Sequence, residues 1–227
     1  MVGKLEGGIS SIEKDLQSMT EWCRKWQMEF NITKCKVMHL GKNNPETAYS
    51  IQGVKLQRVQ EERDLGIFLN EVVKVGTQCG KAAAKGNQIL GLIHRTIVSR
   101  DKRVITGLYK SLVRPHLDYC CQVWRPHLKK DIEILEKVQK RATRMIEGFK
   151  GVSYDQRLKE MGLTTLETRR LRADLIEVFK IIKGYEGLNR ELFFDLKGGE
   201  ITRGHEFNLI KKRLNTDKGN TLLVTGS

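Results

Sequence analysis

From Asp131 to Glu147 the chain repeats in two phases at once. Ile132, Leu135, Val138, Ala142 and Met145 recur at steps of three and four, the spacing of one face of an α-helix. Lys137, Lys140, Arg141 and Arg144 follow the same steps on another side. A chain with such a segment must bury one stripe against neighbouring helices and leave the other to water or to a polyanion. The segment closes a longer stretch, Leu108 to Ile146, that also holds Pro115, Pro126, Trp124 and the adjacent Cys120 and Cys121. A charge run on a helix is ordinarily a solvated face. The distribution of charge along the chain argues for more.

The net charge is +14, and it is uneven. Residues 1–80 hold 11 Lys and Arg against 10 Asp and Glu, whereas residues 81–227 hold 30 against 17. A localised positive field favours a polyanion, because each neutralised phosphate releases condensed counterions. Nucleic acid is the partner class this favours. An acidic membrane surface comes second, since no helix joins a large apolar face to flanking anchors. No apolar run approaches the roughly 18 residues of a membrane span, and the N-terminus lacks a signal-peptide core. The five cysteines, Cys23, Cys35, Cys79, Cys120 and Cys121, are odd in number and irregularly spaced. That argues for a reducing compartment, nuclear or cytoplasmic, and against secretion.

Taken in order, a helix should start near Ser10 or Ser11. Its stripe of Leu16, Met19, Cys23, Trp26 and Phe30, with Trp22 beside it, reads as core packing, and Asn31 ends it. Lys34 to Leu40 alternates like a strand stopped by Gly41, after which Asn43, Asn44 and Pro45 turn. Tyr49 to Val59 reads as a hairpin with Gly53 near its tip. Glu61 to Asp64 reads as a charged turn, and Leu65 to Leu69 as a strand in which Gly66 permits close backbone approach or a bulge. Beyond Gly76 the period becomes helical. Lys81 to Val98 forms a helix in which Gly86 and Gly91 weaken it or allow close helix contact. Asp101 caps the next helix, which must end before Pro115. His116 to Trp124 continues as a helix or a bent segment. Residues 131–147 follow, ended by Gly148. Ser153 caps a helix from Tyr154 to Met161, ended by Gly162. Thr165 opens a long helix with Leu171, Leu175, Val178 and Ile182 as its buried stripe. Arg169, Arg170 and Arg172 stand in its first turn, where cations oppose the macrodipole, and an external phosphate is one candidate to favour them. Residues 198–227 read as a poorly ordered tail.

Other chemistry is weaker. His116, Cys120, Cys121 and His127 make a poor zinc set, because adjacent cysteines rarely bind one ion together and no CxxC is present. Buried thiols fit them better. Cys35 and His39 lie on one side of a strand, with nothing to orient a base. There is no phosphate-binding glycine loop, and the glycine spacings at Gly86 and Gly148 are too common to mark one. Lys129 and Lys130 beside Trp124 either grip a backbone with one stacking ring, or Trp124 is a half-buried anchor.

Five segments together carry a family likeness. Trp22-x3-Trp26-x-Met28-x-Phe30-Asn31-x2-Lys34-Cys35-x-Val37-Met38-His39-x-Gly41 comes first. Asp64-Leu65-Gly66 follows, then Leu108-Tyr109-x-Ser111-Leu112-Val113-Arg114-Pro115, then Leu135-Glu136-x-Val138-Gln139-x-Arg141-Ala142-Thr143, then Arg203-Gly204-His205. In this order, over about residues 10–210, the chain resembles the region downstream of the catalytic motif in LINE-type, non-LTR retrotransposon reverse transcriptases of the jockey-like group.

The resemblance implies an α+β beginning and an all-α remainder. Residues 1–75 would be the end of the palm, a helix and a small antiparallel sheet with a primer-grip-like element at Asp64, Leu65 and Gly66. Residues 76–150 would be the helical thumb and residues 151–197 a helical extension. Lys129, Lys130, Lys137, Lys140, Arg141, Arg144, Arg169, Arg170 and Arg172 would contact an RNA/DNA template–primer duplex. The parent polymerase would use magnesium, held by an Asp-Asp motif that this chain lacks. The fragment would therefore hold no cofactor and would not polymerise alone. The missing N-terminal polymerase part is a possible partner. The end beyond about Leu214 departs from the family. A degenerate remnant and a domesticated helical interaction protein are the alternatives.

Overall fold

The computed structural model describes residues 5–41, 44–195 and 209–210. Arg203-Gly204-His205, Asn43 and nearly all of the tail fall outside them. Among the described residues the chain is α+β, dominated by helix. It divides into two compact units, Met1–Lys74 and Val75–Ser227.

The first unit opens with α1 (Leu5–Lys25). The helix ends earlier than its apolar stripe does. The Met28 N–H donates to the Cys23 carbonyl at 2.9 Å and the Gln27 N–H to Arg24 at 3.4 Å, with Gln27 at φ +53°. This is the Schellman arrangement, with Gln where glycine is usual. The expected aromatic core is therefore corrected. Cys23 is 2% exposed, but Met19, Trp22, Trp26 and Met28 all lie open. A short 3-10 turn (Ile32–Lys34) precedes β1 (Lys36–Val37), which is much shorter than the alternation suggests.

Three two-stranded ladders replace the expected antiparallel sheet. β1 runs parallel to β4 (Gln57–Arg58). β2 (Ser50–Ile51) and β3 (Val54–Lys55) form a hairpin turned by Gln52 and Gly53. β5 (Glu61–Asp64) and β6 (Ile67–Asn70) form a second hairpin, turned by Leu65 and Gly66. Glu61 to Asp64 is thus a strand and not a turn. Both turns have positive φ at both central residues, the I′ form that matches strand twist. Gly66 serves the turn, not a bulge. Ile51, Leu56 and Ile67 supply a small core, and the His39 ring stacks on Tyr49 at 6.3 Å.

The second unit is helical: α2 (Gly76–Thr96), α3 (Lys102–Leu108), α4 (Arg114–Asp118), α5 (Lys129–Thr143), α6 (Tyr154–Met161) and α7 (Leu166–Lys183). Its core lies where α2 meets α5 and α4. Gly86 is the point of closest approach. A Cβ there would stand 3.0 Å from Val138 Cγ1 and 3.3 Å from Leu117 Cδ2. Leu135, Val138 and Ala142 of α5 are wholly buried, as are Val113 and Leu117.

The chain does not break before Pro115. A π-turn (Tyr109–Val113) links α3 to α4, with the Arg114 N–H bonded to the Tyr109 carbonyl. The wider turn removes the geometry in which a proline ring collides with the carbonyl four residues back. Asp101 and Ser153 cap α3 and α6 as expected, and Gly162 ends α6 at φ +59°. α6 and α7 both pack on α5, so residues 151–183 belong to the same unit as the helices before them.

The stripe expected on α7 is also corrected. Leu166, Arg170 and Ile181 face inward, while Leu171 and Leu175 are 37% and 45% exposed. Two polar anchors set this rotation. The Leu166 N–H donates to Glu136 Oε2, and Arg170 Nη2 donates to the Leu117 carbonyl.

Candidate nucleic-acid interface

Burying Leu135, Val138 and Ala142 decides where the basic residues of α5 go. Lys137, Arg141 and Arg144 stand exposed on the other side. Lys140 is half-buried, its Nζ 5.1 Å from the centre of the Tyr154 ring. Arg141 donates to Asn87 Oδ1 at 3.2 Å, which holds its guanidinium against α2. Arg141 and Arg144 line an open cleft of about 640 Å³ with His94, Arg100 and Glu147. Arg100 donates to the carbonyls of Ile97 and His94 at the end of α2. A cation at a helix C-terminus is favoured there, so the rim is stably basic. A second cleft shares Arg144, Ile146 and Glu147 and continues to Lys150 and Arg157.

Lys129 and Lys130 are exposed, but they sit at the opposite end of α5. At 1.5 Å per residue that end lies about 22 Å from Arg144. The stacking role beside them is excluded by burial. Trp124 is 1% exposed and its Nε1 donates to the Tyr119 carbonyl at 2.8 Å. It is a fully buried anchor, with the Arg170 guanidinium 5.7 Å from its ring centre.

The three arginines of α7 separate. Arg170 is 2% exposed and is not a surface contact, which corrects its place in the expected set. Arg169 Nε donates to Asp118 Oδ2 at 2.5 Å. Arg169 is exposed but ion-paired, whereas Arg172 is exposed with no ion pair to a carboxylate among the described residues, beside a cleft of about 330 Å³ that Asp118 and Thr164 also line. The puzzle of cations in a first turn thus has an internal answer. Helical side chains lean toward the N-terminus. Arg169 and Arg170 reach the last turn of α4, where Asp118 and the unpaired Leu117 carbonyl favour positive charge.

Asp64, Leu65 and Gly66 form the tip of the β5–β6 hairpin in the first unit. Leu65 is 82% exposed, with φ +45° and Gly66 at +86°.

Among the described residues, no three His, Cys, Asp or Glu side chains gather where they could hold a metal ion. Cys121 is buried, and burial raises its thiol pKa, with the Asp118 charge adding. No helix among the described residues is long and apolar enough to cross a membrane.

His94, Arg100 and Lys150 join the basic surface from α2 and two loops, and the buried Arg157 of α6 lines the second cleft. No periodicity links positions so far apart, and nothing in the spacing of the sequence singled out this loop. No protein-family model matches the chain, and neither a curated protein nor a solved structure is similar to it at a significant level.

Proposed function

We propose that the chain is the palm-end and thumb part of a LINE-type reverse transcriptase, and that its basic second unit holds a template–primer duplex without performing the chemistry. One observation carries this reading. Arg141 on the packed helix α5 and Arg144 at its C-cap stand exposed, facing an open cleft, with no carboxylate ion-paired to either among the described residues. Exposed, unpaired cations held on a fixed scaffold suit a phosphate backbone. The order of the five sequence segments supports the polymerase part of the reading.

The test is binding to an RNA–DNA primer–template duplex, compared with single strands, across a salt series. Duplex preference with a steep negative salt slope is expected. Weak binding indifferent to strand form, with an uncooperative melt, favours a degenerate remnant.

A second reading has its own observation. α7 exposes Leu171, Leu175, Ile176 and Phe179, an unusual load of apolar surface for one helix. A protein partner, such as the missing polymerase part or the target of a domesticated interaction protein, would bind there and persist at high salt.

A further inference from the structure

The loop from Glu147 to Ser153 joins α5 to α6 through two glycines in left-handed conformation. Gly148 has φ +82° and Gly151 +81°. Nothing lies within 4 Å of where a Cβ would stand at either position. Bare backbone with open space beside it lets a ligand approach peptide groups closely. The loop delivers Ser153, whose Oγ accepts from the Gln156 N–H at the start of α6. Around it lies a cleft of about 630 Å³, bounded by Arg144, Lys150 and Arg157, with Glu147 on the same wall.

Arg157 gives an independent pointer. It is only 4% exposed. Its Nη1 donates to Thr143 Oγ1 at 2.8 Å and reaches the Lys140 carbonyl at 3.4 Å. Its guanidinium sits 5.5 Å from the Tyr154 ring centre. Its buried Nε has no partner. No carboxylate is ion-paired to it among the described residues. Burial lowers its pKa, and the like charge of Arg144 lowers it further. A buried cation without a counter-charge is costly, and a bound anion is the direct remedy.

The geometry points to a phosphate-group site in this cleft, with the Gly148–Gly151 loop beneath the anion, Arg157 at its base and Arg144 and Lys150 beside it. Three cations against one carboxylate leave two positive charges. That matches a phosphate monoester dianion better than a singly charged diester. The ligand class is therefore a phosphate monoester, whether a strand end or a free phosphate. The site goes beyond the reading above, because it requires neither a duplex nor a polymerase ancestry.

The experiment titrates the full ¹⁵N-labelled chain with inorganic phosphate at fixed ionic strength, with chloride as reference. Saturable shifts are expected at the amides of Gly148, Lys150 and Gly151 and at Arg157 Nε–H. Lys150→Ala, at an exposed position, should weaken binding about tenfold, the loss of one charge-assisted contact. Arg157→Met should remove binding while melting no lower than the parent, because it deletes an uncompensated charge and keeps the bulk. If that variant does not fold, Lys150→Ala decides alone. A 5′-phosphorylated oligonucleotide is then compared with its 5′-hydroxyl twin. Preference for the phosphorylated end supports a strand end as the source, and equal binding with intact phosphate shifts supports a free phosphate. Shifts that do not saturate, that chloride reproduces, or that survive Lys150→Ala or a folded Arg157→Met unchanged overturn the site. Arg141→Glu probes the duplex reading separately, since it should leave the phosphate shifts intact.

Discussion

Glu136 Oε2 accepts the backbone N–H of Leu166 at 3.0 Å, so the middle of α5 supplies the acceptor that the first turn of α7 lacks. Glu136 Oε1 accepts from the Tyr154 hydroxyl and from Gln139 Nε2. Gln139, 1% exposed, also donates to the Thr164 carbonyl at 3.0 Å and accepts from the Tyr109 hydroxyl at 2.6 Å. One carboxylate thereby anchors three helices, and it lies where the α7 dipole favours negative charge. Glu136→Gln keeps the shape and loses the charge. It should lower stability by about 1–3 kcal/mol, read from urea unfolding, and Glu136→Ala should lower it further. An unchanged midpoint for both would show the network is dispensable.

The second unit should lose stability in alkali. Burial, with the Asp131 charge second, pushes the Cys79 thiol up to about 12. Burial also raises the hydroxyl pKa of Tyr109 and Tyr154, with Asp118 and the Glu136 hydrogen bond as the next causes. Folded pKa values above the unfolded ones mean the unfolded chain releases protons first. The stabilisation is therefore complete below the unfolded thiol value and fades as pH rises from about 9 toward 12. Each such group contributes a slope of up to about 1.4 kcal/mol per pH unit. Thermal melts between pH 8 and 11 would show it. A flat profile would mean these groups are solvated.

Two glycines of α2 should respond in opposite directions. Gly91 has nothing within 4 Å of a Cβ, so Gly91→Ala should add up to about 1 kcal/mol from helix propensity. At Gly86 the added methyl meets Val138 at 3.0 Å on a wholly buried surface. There the clash should outweigh propensity, and Gly86→Ala should lower the melting temperature. Equal gains at both sites would contradict the close packing of α2 on α5.

Arginines that look alike in the sequence should behave differently. Arg141→Glu with Arg144→Glu should weaken duplex binding and reduce the magnitude of the salt slope by about 2, near one per lost phosphate contact. Arg170→Ala should leave that slope alone. It should cost about 2–4 kcal/mol in stability, because it opens a cavity under Trp124 and strands the Leu117 carbonyl. A slope change in Arg170→Ala would return it to the surface.

The amphipathic face of α5, the caps Asp101 and Ser153 and the stop at Gly162 were legible, because each depends on neighbours within a few residues, but α5 ends at Thr143 and not at Gly148. The π-turn was legible in retrospect only. Ile105, Tyr109, Val113 and Leu117 are all at most 2% exposed, yet they recur every four residues. In a regular helix each step of four overshoots one turn by about 40°, so the run would spiral off the core. The five-residue turn takes up that excess, and Pro115, read alone as a stop, marks the place. The rotation of α7 was not legible. It depends on Glu136 and Leu117, which lie 30 and 53 positions from their partners Leu166 and Arg170. Trp22 and Trp26 have the spacing of a core stripe, but α1 ends at Lys25 and their rings stay exposed.

Asp131 lies against Gly76, the first residue of α2, its carboxylate 3.4 Å from where a Cβ there would be, and Glu136 holds the first residue of α7. As the chain is synthesised, α2 emerges long before the carboxylate that sits at its N-terminus, and Glu136 waits for a partner 30 positions further on. Both contacts join residues far apart in the chain, so they add loop-closure entropy to the folding barrier of the second unit and should slow its folding relative to a bundle held by local contacts alone.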